Sequence, residues 1–234
     1  MKRIIKISLI LLLVGMAVIA AVPFLKEKRA ERKYENEFKN IQESVTEKKS
    51  DVNGLVKKNK DCIGYVEILG TTINYPVMQT KENPDFYLNH DFNRNYSFYG
   101  TPYLSAYCDV EKSDNLIIYG HNINGGKMFG ALEQYKDKEF FNKHRKIYFT
   151  TDKKREYEVF AVMSVNIHEF EYWKFVMARN EKEYDEFVDK VEEHSLLRQG
   201  NKPKYGEQML MLSTCDNGRG DDWRIVLIAK CVYS

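Results

Sequence analysis

The sequence contains little cysteine, and its cysteines stand far apart. Among 234 residues there are four, namely Cys62, Cys108, Cys215 and Cys231. No two of them form a CxxC pair, so the sequence indicates neither a zinc knuckle nor a dense disulfide framework. Cys62, Cys108 and Cys231 stand beside apolar or aromatic residues, which favours buried positions in or near strands. An exported protein could still pair two of them.

The sequence also lacks an excess of either charge. Its 36 Lys and Arg residues nearly balance its 34 Asp and Glu residues, which leaves a formal net charge of +2. This balance does not provide the basic surface of a nucleic-acid-binding protein, so no nucleic-acid partner is expected. Asp216, Asp221 and Asp222 cluster without the alternating ligand spacing of a calcium loop. We therefore expect neither a metal ion nor a cofactor.

One long apolar run is present, at the N-terminus. It covers Ile7–Val22, follows a short basic stretch and has 19 positions when counted from Ile4, which is enough to span a bilayer. Residues 1–25 are therefore predicted to be a single-pass anchor in the cell membrane, with the N-terminus inside. Cleavage after Ala20 would make the same segment a signal peptide. Either way, the rest of the chain is expected outside the cytoplasm.

A charged segment, 26–60, separates this run from the remainder. It is rich in Lys and Glu, and its apolar residues recur at spacings of four, three and four from Tyr34 to Val45. That spacing is typical of a narrow amphipathic helix. We predict a charged helical stalk next to the membrane over 26–60 and one domain over 61–234, because a chain of this length can bury one sizeable core.

The domain over 61–234 consists mostly of short β-rich runs. Eight strands are predicted, at Gly64–Leu69, Thr72–Met78, Thr101–Ser105, Asn115–Tyr119, Lys146–Thr150, Tyr157–Asn166, Gln208–Thr214 and Trp223–Val232. They do not alternate regularly with helices, so a mostly β fold with added helices is expected, either a barrel or a sandwich. Helices are predicted at Lys127–Tyr135, Lys138–His144 and Glu181–Leu197.

A cysteine ends one of these strands. Cys215 follows the apolar run Met209–Leu212 and precedes a polar loop, so its thiol is presented at a strand end. The chain returns as an apolar strand headed by Arg224, and the hairpin brings Arg224 close to Cys215. Thiol acyl transfer needs a thiolate, an acid and donors for the oxyanion, and Arg224 suits the third role. Arg219, in the loop between them, is the competing arginine.

A histidine is the expected acid, and five are present. His121 follows the strand Asn115–Tyr119 and precedes a glycine-rich loop, so it also stands at a strand end. His144 and His194 lie in charged helical contexts and are predicted to be at the surface. His121 is therefore the candidate for proton transfer.

These motifs resemble those of the sortase family. Tyr119-Gly-His-Asn122 and Leu212-Ser-Thr-Cys215, with Arg224 beyond, stand in the order of the sortase His, Cys and Arg motifs. The resemblance covers about 63–230. The helical stalk and the helix Glu181–Leu197, which stands between the sixth and seventh strands, are features of class B sortases. The resemblance thus implies a closed eight-stranded sortase-type β-barrel.

The resemblance implies a membrane-anchored cysteine transpeptidase. The Cys215 thiolate would attack the threonine carbonyl of a C-terminal sorting signal on a surface protein, while His121 protonates the departing amine and Arg224 stabilises the oxyanion. An amino group of a peptidoglycan precursor would then resolve the thioacyl enzyme. Specificity is expected in loops such as Glu169–Arg179. The expected substrate-binding residues are Leu88, Tyr119, Ser213, Thr214 and Asp216.

Three alternatives remain at this stage. A class B sortase can polymerise pilins instead of anchoring proteins to the wall. A papain-like cell-wall endopeptidase also uses a cysteine, but it usually places that cysteine at a helix N-terminus ahead of the histidine, whereas His121 precedes Cys215 here. The third alternative is a membrane-anchored binding module in which Cys215 is structural.

Overall fold

The computed structural model describes residues 2–47 and 52–233. These residues form two compact units, one ending at Asn40 and the other beginning at Ile41. The predicted anchor, stalk and β-rich domain each include positions outside the described residues, namely Met1, residues 48–51 and Ser234. The three-part division of the chain therefore stays a prediction.

The N-terminal part of the chain is helical. Helix α1 (Lys2–Glu47) contains Pro23, and Tyr34 packs on Phe38 one turn later, with ring centroids 4.9 Å apart. Within the described part of the chain, no helix combines the length and the apolar character needed to cross a bilayer. Helix α2 (Val52–Lys58) buries Val52 and Leu55. The helical N-terminal segment is thus confirmed as secondary structure.

The residues of the second unit form a β-barrel with short additions. In chain order the described strands are β1 (Cys62–Glu67), β2 (Asn74–Met78), β3 (Tyr103–Leu104), β4 (Asn115–Tyr119), β5 (Asn122–Ile123), β6 (Lys127–Met128), β7 (Lys146–Thr150), β8 (Lys154–Asn166), β9 (Ser195–Arg198), β10 (Met209–Cys215) and β11 (Trp223–Tyr233). Every predicted strand is present, and β5, β6 and β9 are additional.

Eight strands close the barrel. Their order is β11-β10-β4-β3-β2-β1-β7-β8, and β8 pairs back with β11 from Asn166 to Glu156. The β10–β4 and β2–β3 pairs are parallel, and the other pairs of the barrel are antiparallel. The closed eight-stranded barrel is therefore confirmed, and closure removes the unpaired edges that an open sheet would expose.

The strands β10 and β11 lie in the centre of the core. Their residues from Met209 to Leu212 and from Ile225 to Ala229 are fully buried. This explains why both strands are almost continuously apolar instead of alternating, because side chains on both faces are covered. The polar ends of these strands lie at one end of the barrel, where Cys215 and Arg224 are paired.

Two predicted helices end or begin differently from the prediction. The segment Lys127–Tyr135 starts as β6, which pairs with β5 across a turn containing Gly125 and Gly126 at φ 76° and 74°, and becomes a 3-10 helix only at Gly130–Lys136. Glycine permits these positive φ angles, so the chain reverses just before the predicted helix, and its first two residues pair with β5 instead.

The helix predicted over Glu181–Leu197 ends earlier. Helix α4 covers Glu181–His194, and Ser195–Arg198 forms β9, which pairs with β8 at Val162↔Leu197. The reason is tertiary: β7 covers only the first part of that edge of β8, so the remaining backbone groups need a partner. The helix between the sixth and seventh predicted strands is itself confirmed.

His144 is buried, contrary to the prediction of a surface position. It is 9% exposed and follows helix α3 (Lys138–Lys143), and its Nδ1 lies 3.0 Å from the Leu69 carbonyl. Its ring occupies the space beside Gly70, where a Cβ atom would lie 2.7 Å from His144 Cε1. Gly70 has φ 78°, so the turn between β1 and β2 also requires glycine.

Candidate active site

A cavity opens at the end of the barrel where β4 and β10 stop. It has a volume of about 560 Å³, and Cys215, His121 and Arg224 all line it. The cavity is within the range typical of ligand pockets. The three residues that the sequence analysis predicted as catalytic thus line one cavity. Cys215 and Arg224 lie 94 and 103 positions after His121 in the chain, and the strand ends bring them to the same place.

Strand register sets the relation between Cys215 and Arg224. They are directly opposed in the β10–β11 ladder. Asp216 N donates to Trp223 O at 2.9 Å, so the adjacent Cys215–Arg224 pair is of the non-hydrogen-bonded type. In such pairs the Cα atoms are about 4.5 Å apart and the side chains lie close together on one face. Sulfur and guanidinium therefore share the same wall of the cavity.

The two arginines of the hairpin have different surroundings. Arg224 is half-buried, and its Nη1 donates to the carbonyls of Asp221 at 2.6 Å and Trp223 at 3.0 Å. A guanidinium offers five N–H donors, so others remain for an oxyanion. Arg219 instead lies 3.6 Å from the Trp223 ring centroid, donates to Ser164 Oγ, and is not among the cavity-lining residues.

His121 is held by the residues around the cavity. The parallel β4–β10 ladder ends with Gly120 N donating to Ser213 O at 3.1 Å, and His121 follows immediately. Its Nε2 lies 2.8 Å from the Leu88 carbonyl oxygen, and because a carbonyl only accepts, Nε2 carries a proton. The contact leaves Nδ1 as the nitrogen available for proton exchange. The exposed Phe98 ring is nearly parallel to the imidazole, with centroids 6.5 Å apart.

The predicted substrate-binding residues Leu88, Tyr119, Ser213 and Thr214 also line the cavity. Ser213 Oγ lies 2.7 Å from Tyr172 Oη, and burial raises the pKa of Tyr172 to about 12, so that hydroxyl stays protonated at neutral pH. Thr214 Oγ1 is buried and has no hydrogen-bond partner among the described residues. The Thr214 hydroxyl is thus a buried polar group beside Cys215 that makes no hydrogen bond to another described residue.

Asp216 is the predicted substrate-binding residue that the structure places elsewhere. Its side chain is fully buried and accepts hydrogen bonds from Lys136 Nζ at 2.8 Å and Ser164 Oγ at 2.6 Å. Burial alone would raise the pKa of this carboxyl group, but the bonds from Lys136 and Ser164 lower it below its ordinary value. A buried carboxylate needs such partners, which hold it away from the cavity.

Several cavity residues were not identified from the sequence. They are Asp85, Tyr103, Tyr107, Ile167, Tyr172 and Trp173. Four of the six are aromatic, and they come from separate loops and strand ends, so no local pattern groups them. The sequence did point to the loop Glu169–Arg179, but not to Tyr172 and Trp173 within it. Asp85, which accepts from Tyr103 Oη at 3.1 Å, is the one carboxylate among the described residues that line the cavity.

The described residues provide neither a metal site nor a disulfide. Across residues 2–47 and 52–233, no three His, Cys, Asp or Glu side chains are placed to hold a metal ion. None of the four cysteines, all of which lie in that part of the chain, forms a disulfide.

Comparisons with known proteins agree with this fold. The sortase domain family matches residues 66–232. Sortase B of Staphylococcus aureus (strain NCTC 8325 / PS 47) is 28% identical over 99% of this chain and 98% of its own length. Sortase B of Listeria monocytogenes serovar 1/2a is 31% identical over 80% of this chain and 76% of its own length.

Solved structures of sortase B have the same architecture. A Staphylococcus aureus sortase B–substrate complex superposes with a TM-score of 0.74 and 28% identity, covering 89% of this chain and 97% of that one. A sortase B complexed with triglycine gives a TM-score of 0.76 and 28% identity, covering 88% and 99%. The papain-like and non-enzymatic alternatives are thereby excluded. The chain belongs to the sortase family, as a class B sortase, and is a cysteine transpeptidase.

Proposed function

We propose that this enzyme cleaves a C-terminal sorting signal after threonine and transfers the protein to an amino group of a peptidoglycan precursor, with Cys215 as nucleophile, His121 as acid and base, and Arg224 as oxyanion stabiliser. The observation that carries the proposal is the pairing of Cys215 with Arg224 across one ladder, in the cavity that His121 also lines. A nucleophile, an oxyanion donor and a proton carrier are the groups that acyl transfer requires.

In the first step the Cys215 thiolate forms a bond to the threonine carbonyl carbon. The oxygen gains charge, which the Arg224 guanidinium stabilises, and the peptide C–N bond then breaks. His121, as imidazolium, gives its proton to the departing amine. The product of this step is a thioacyl enzyme, and His121 is left neutral.

In the second step an amine attacks the thioacyl carbon. Neutral His121 takes a proton from the attacking nitrogen, the new amide bond forms, and the C–S bond breaks to regenerate the thiolate and the imidazolium. The Leu88 carbonyl holds Nε2, so we assign both proton transfers to Nδ1. The enzyme thus returns to its starting protonation state.

Both substrates of this proposal have support from relatives. One solved structure is a sortase B–substrate complex, and another is a sortase B complexed with triglycine. By analogy, we propose an extended peptide for the aromatic-walled cavity and a primary amine as the acceptor. We further propose that residues 1–25 direct the catalytic domain to the outer side of the cell membrane, since the apolar run follows a basic flank.

The test uses the full chain, purified in mild detergent. It is incubated with a library of sorting-signal peptides, alone and with triglycine or a stem peptide that carries a side-chain amine, and the products are analysed by mass spectrometry. We expect cleavage after threonine, a new amide with the amine, and a trapped acyl adduct on Cys215. Cys215→Ser should abolish all three, whereas the matched Cys231→Ser should not.

Other outcomes distinguish the alternatives. Hydrolysis that does not shift to transfer when amines are added would contradict the transpeptidase reaction proposed for this chain. Transfer to a lysine side chain of a second substrate protein, with no transfer to wall-type amines, would indicate pilin polymerisation instead.

A further inference from the structure

A side-chain amide connects the two halves of the proposed catalytic centre. Asn122 follows His121 directly, and its Nδ2 donates to the backbone carbonyl of Cys215 at 2.8 Å. In the non-hydrogen-bonded pair that Cys215 forms with Arg224, the Cys215 carbonyl points away from β11 and towards the β4 side. The regular ladder between β4 and β10 has already ended at Gly120. The Asn122 amide therefore supplies the donor that the ladder no longer provides.

The orientation of this amide is fixed by a second acceptor. Asn122 Nδ2 also donates to Glu133 Oε1 at 2.8 Å, so both of its hydrogens are used. Two acceptors on the same atom identify it as the nitrogen and exclude the flipped amide. Asn217 Nδ2 in turn donates to the Asn122 carbonyl at 3.3 Å. Asn122 is thus bound both to Cys215 and to Asn217 in the loop that follows Cys215.

The connection continues below the nucleophile. Glu133 Oε2 accepts from Lys136 Nζ at 2.8 Å, and the same Nζ donates to Asp216, the residue after Cys215. A ring of polar contacts therefore starts at the Cys215 carbonyl, passes through Asn122, Glu133 and Lys136, and returns to the chain one residue later. Charge-assisted bonds to a carboxylate are stronger than neutral ones, so Glu133 and Lys136 together support the Asn122 amide from the side opposite Cys215.

We propose that Asn122 is a positioning residue, oriented by Glu133, which holds the His121 loop and the Cys215 strand end at the spacing that proton transfer and thiolate attack require. This inference deepens the proposed function and rests on it. Asn122 is not among the described residues that line the cavity, so its loss should impair the chemical steps and not peptide binding. A displacement of about 1 Å in such a site can lower a rate by about 100-fold.

The sharpest variant is Asn122→Asp, which keeps the shape of the side chain and replaces both donors by an acceptor. The new carboxylate faces the Cys215 carbonyl and the Glu133 carboxylate, so both contacts become repulsive. We expect kcat for peptide transfer to fall by about 10- to 100-fold while KM for the peptide stays within about twofold. Asn122→Ala, which removes the donors without adding charge, should lower kcat in the same range.

The matched control is Asn124→Asp in the same loop. Asn124 is exposed, and the substitution adds the same charge two residues away, without a contact to Cys215. Its kcat and KM should both stay within about twofold of the wild type. A second readout is the rate at which a small reagent alkylates Cys215, measured across a range of pH. Alkylation needs the thiolate but no proton transfer to an amine. We therefore expect Asn122→Ala to lower the rate of acyl transfer more than the rate of alkylation at every pH.

Several outcomes would overturn the inference. One is an Asn122→Ala enzyme that keeps kcat within threefold, and another is a variant whose loss lies in KM. If the Asn122 variants melt below the assay temperature, Glu133→Gln, which can still accept from Lys136, serves instead. It should lower kcat about two- to fivefold at unchanged KM, and an unchanged kcat there would also refute the proposal. A wild-type enzyme without transfer activity would refute the proposed function itself.

Discussion

At the scale of single residues, burial divides the four thiols into two that are buried, Cys62 and Cys108, and two that are half-buried, Cys215 and Cys231. Cys62 and Cys108 are 2% and 1% exposed, and burial raises the pKa of Cys62 to about 12 and that of Cys108 to about 11. Cys215 is half-buried and opens to the cavity. Because only the thiolate is nucleophilic, the environment rather than the residue type decides which cysteine reacts.

Thiol labelling checks this difference. In native protein at pH 8, iodoacetamide should modify Cys215 and leave Cys62 and Cys108 unmodified, since on the order of one in a thousand of their thiols, or fewer, is ionised. Mass spectrometry of peptides after timed quenching measures each site. In urea all four cysteines should label equally, and preferential labelling of Cys62 in the native protein would contradict the buried assignment.

The two arginines of the β10–β11 hairpin give a second prediction. Arg224→Ala should lower the rate of acyl transfer by about 100- to 1,000-fold, because it removes the proposed oxyanion donor. Arg219→Ala removes a cation–π contact with Trp223 and should cost about 0.5–1 kcal/mol of unfolding free energy, with transfer changed by only about threefold or less. Single-turnover kinetics with a fluorogenic peptide compares them. The opposite ranking would assign the oxyanion role to Arg219.

The buried carboxylate of Asp216 gives a pH-dependent prediction. Lys136 and Ser164 hold its pKa below the ordinary value, so it stabilises the folded state above the unfolded pKa of about 3.9, and this contribution is lost as the pH falls through the lower folded pKa. Asp216→Asn should therefore lower the unfolding free energy by about 1–3 kcal/mol at pH 7, with a difference that vanishes towards pH 2.

Urea unfolding at a series of pH values measures this difference. The exposed Asp221→Asn is the matched control and should change stability little at any pH. A difference between the wild type and Asp216→Asn that grows on acidification would show that the Asp216 carboxylate does not act in this way.

At the scale of secondary-structure elements, helix α4 follows directly from its sequence. Tyr184, Phe187, Val188 and Val191 have the i, i+3, i+4, i+7 spacing of one helical face, and all four are buried. Asn180 begins the helix, and its side chain accepts from Glu183 N at 3.0 Å. A local cap and a periodic apolar face thus define the start and the orientation of α4.

Removing that cap should have a measurable cost. Asn180→Ala leaves the Glu183 N–H without its side-chain acceptor and should lower the unfolding free energy by about 1 kcal/mol, or Tm by about 2–4 °C. Differential scanning calorimetry measures the shift. Asn180→Asp keeps an acceptor at the same place and should remain close to the wild type. An unchanged Tm for Asn180→Ala would mean that packing alone fixes the end of the helix.

The end of α4 illustrates the opposite case. Leu196 and Leu197 continue the apolar face in sequence, yet they lie in β9 because β8 has an edge that β7 does not cover. Similarly, Lys127 and Met128 leave the predicted helix because two glycines turn the chain back on itself. Whether a segment forms a helix or a strand was predicted correctly where the local pattern agrees with the tertiary contacts. The prediction was wrong where an unpaired strand edge or a tight turn overrode the helical pattern.

At the scale of the whole molecule, the barrel positions the proposed catalytic residues. Closure between β8 and β11 fixes the last strand, and parallel pairing of β4 with β10 brings two strand ends to one side of the barrel. His121 follows the first of these strands, and Cys215 ends the second. A rigid scaffold with function at its strand ends is a common arrangement, because strand positions are fixed more precisely than loops.

The proposed location also belongs to this scale. In cell fractionation, the full chain should be recovered with membranes at its unprocessed length, and deletion of residues 1–25 should move it to the soluble fraction. Immunoblotting of both fractions and of the medium measures the distribution. A shortened, soluble protein in the medium would instead indicate signal-peptide cleavage near Ala20.

The eight barrel strands, the face of α4 and the candidates Cys215, His121 and Arg224 were all predictable from the order of residues, because strands and strand-end residues leave local patterns in the chain. Their motifs also resemble those of a known family. The Arg224 assignment depended on strand phase, and the β10–β11 register shows the physical reason, since Arg224 is the residue directly opposite Cys215.

Other features follow only from the folded barrel. Folding places Asp216 in a buried ion pair, His144 beside Gly70, and Tyr172 and Trp173 in the wall of the cavity. It also joins Asn122 to the Cys215 carbonyl. Each of these contacts links residues that are distant in sequence or depends on the direction of one side chain. A short stretch of sequence predicts neither long-range contacts nor side-chain directions. Packing and hydrogen-bond demand fix them only once the barrel has closed.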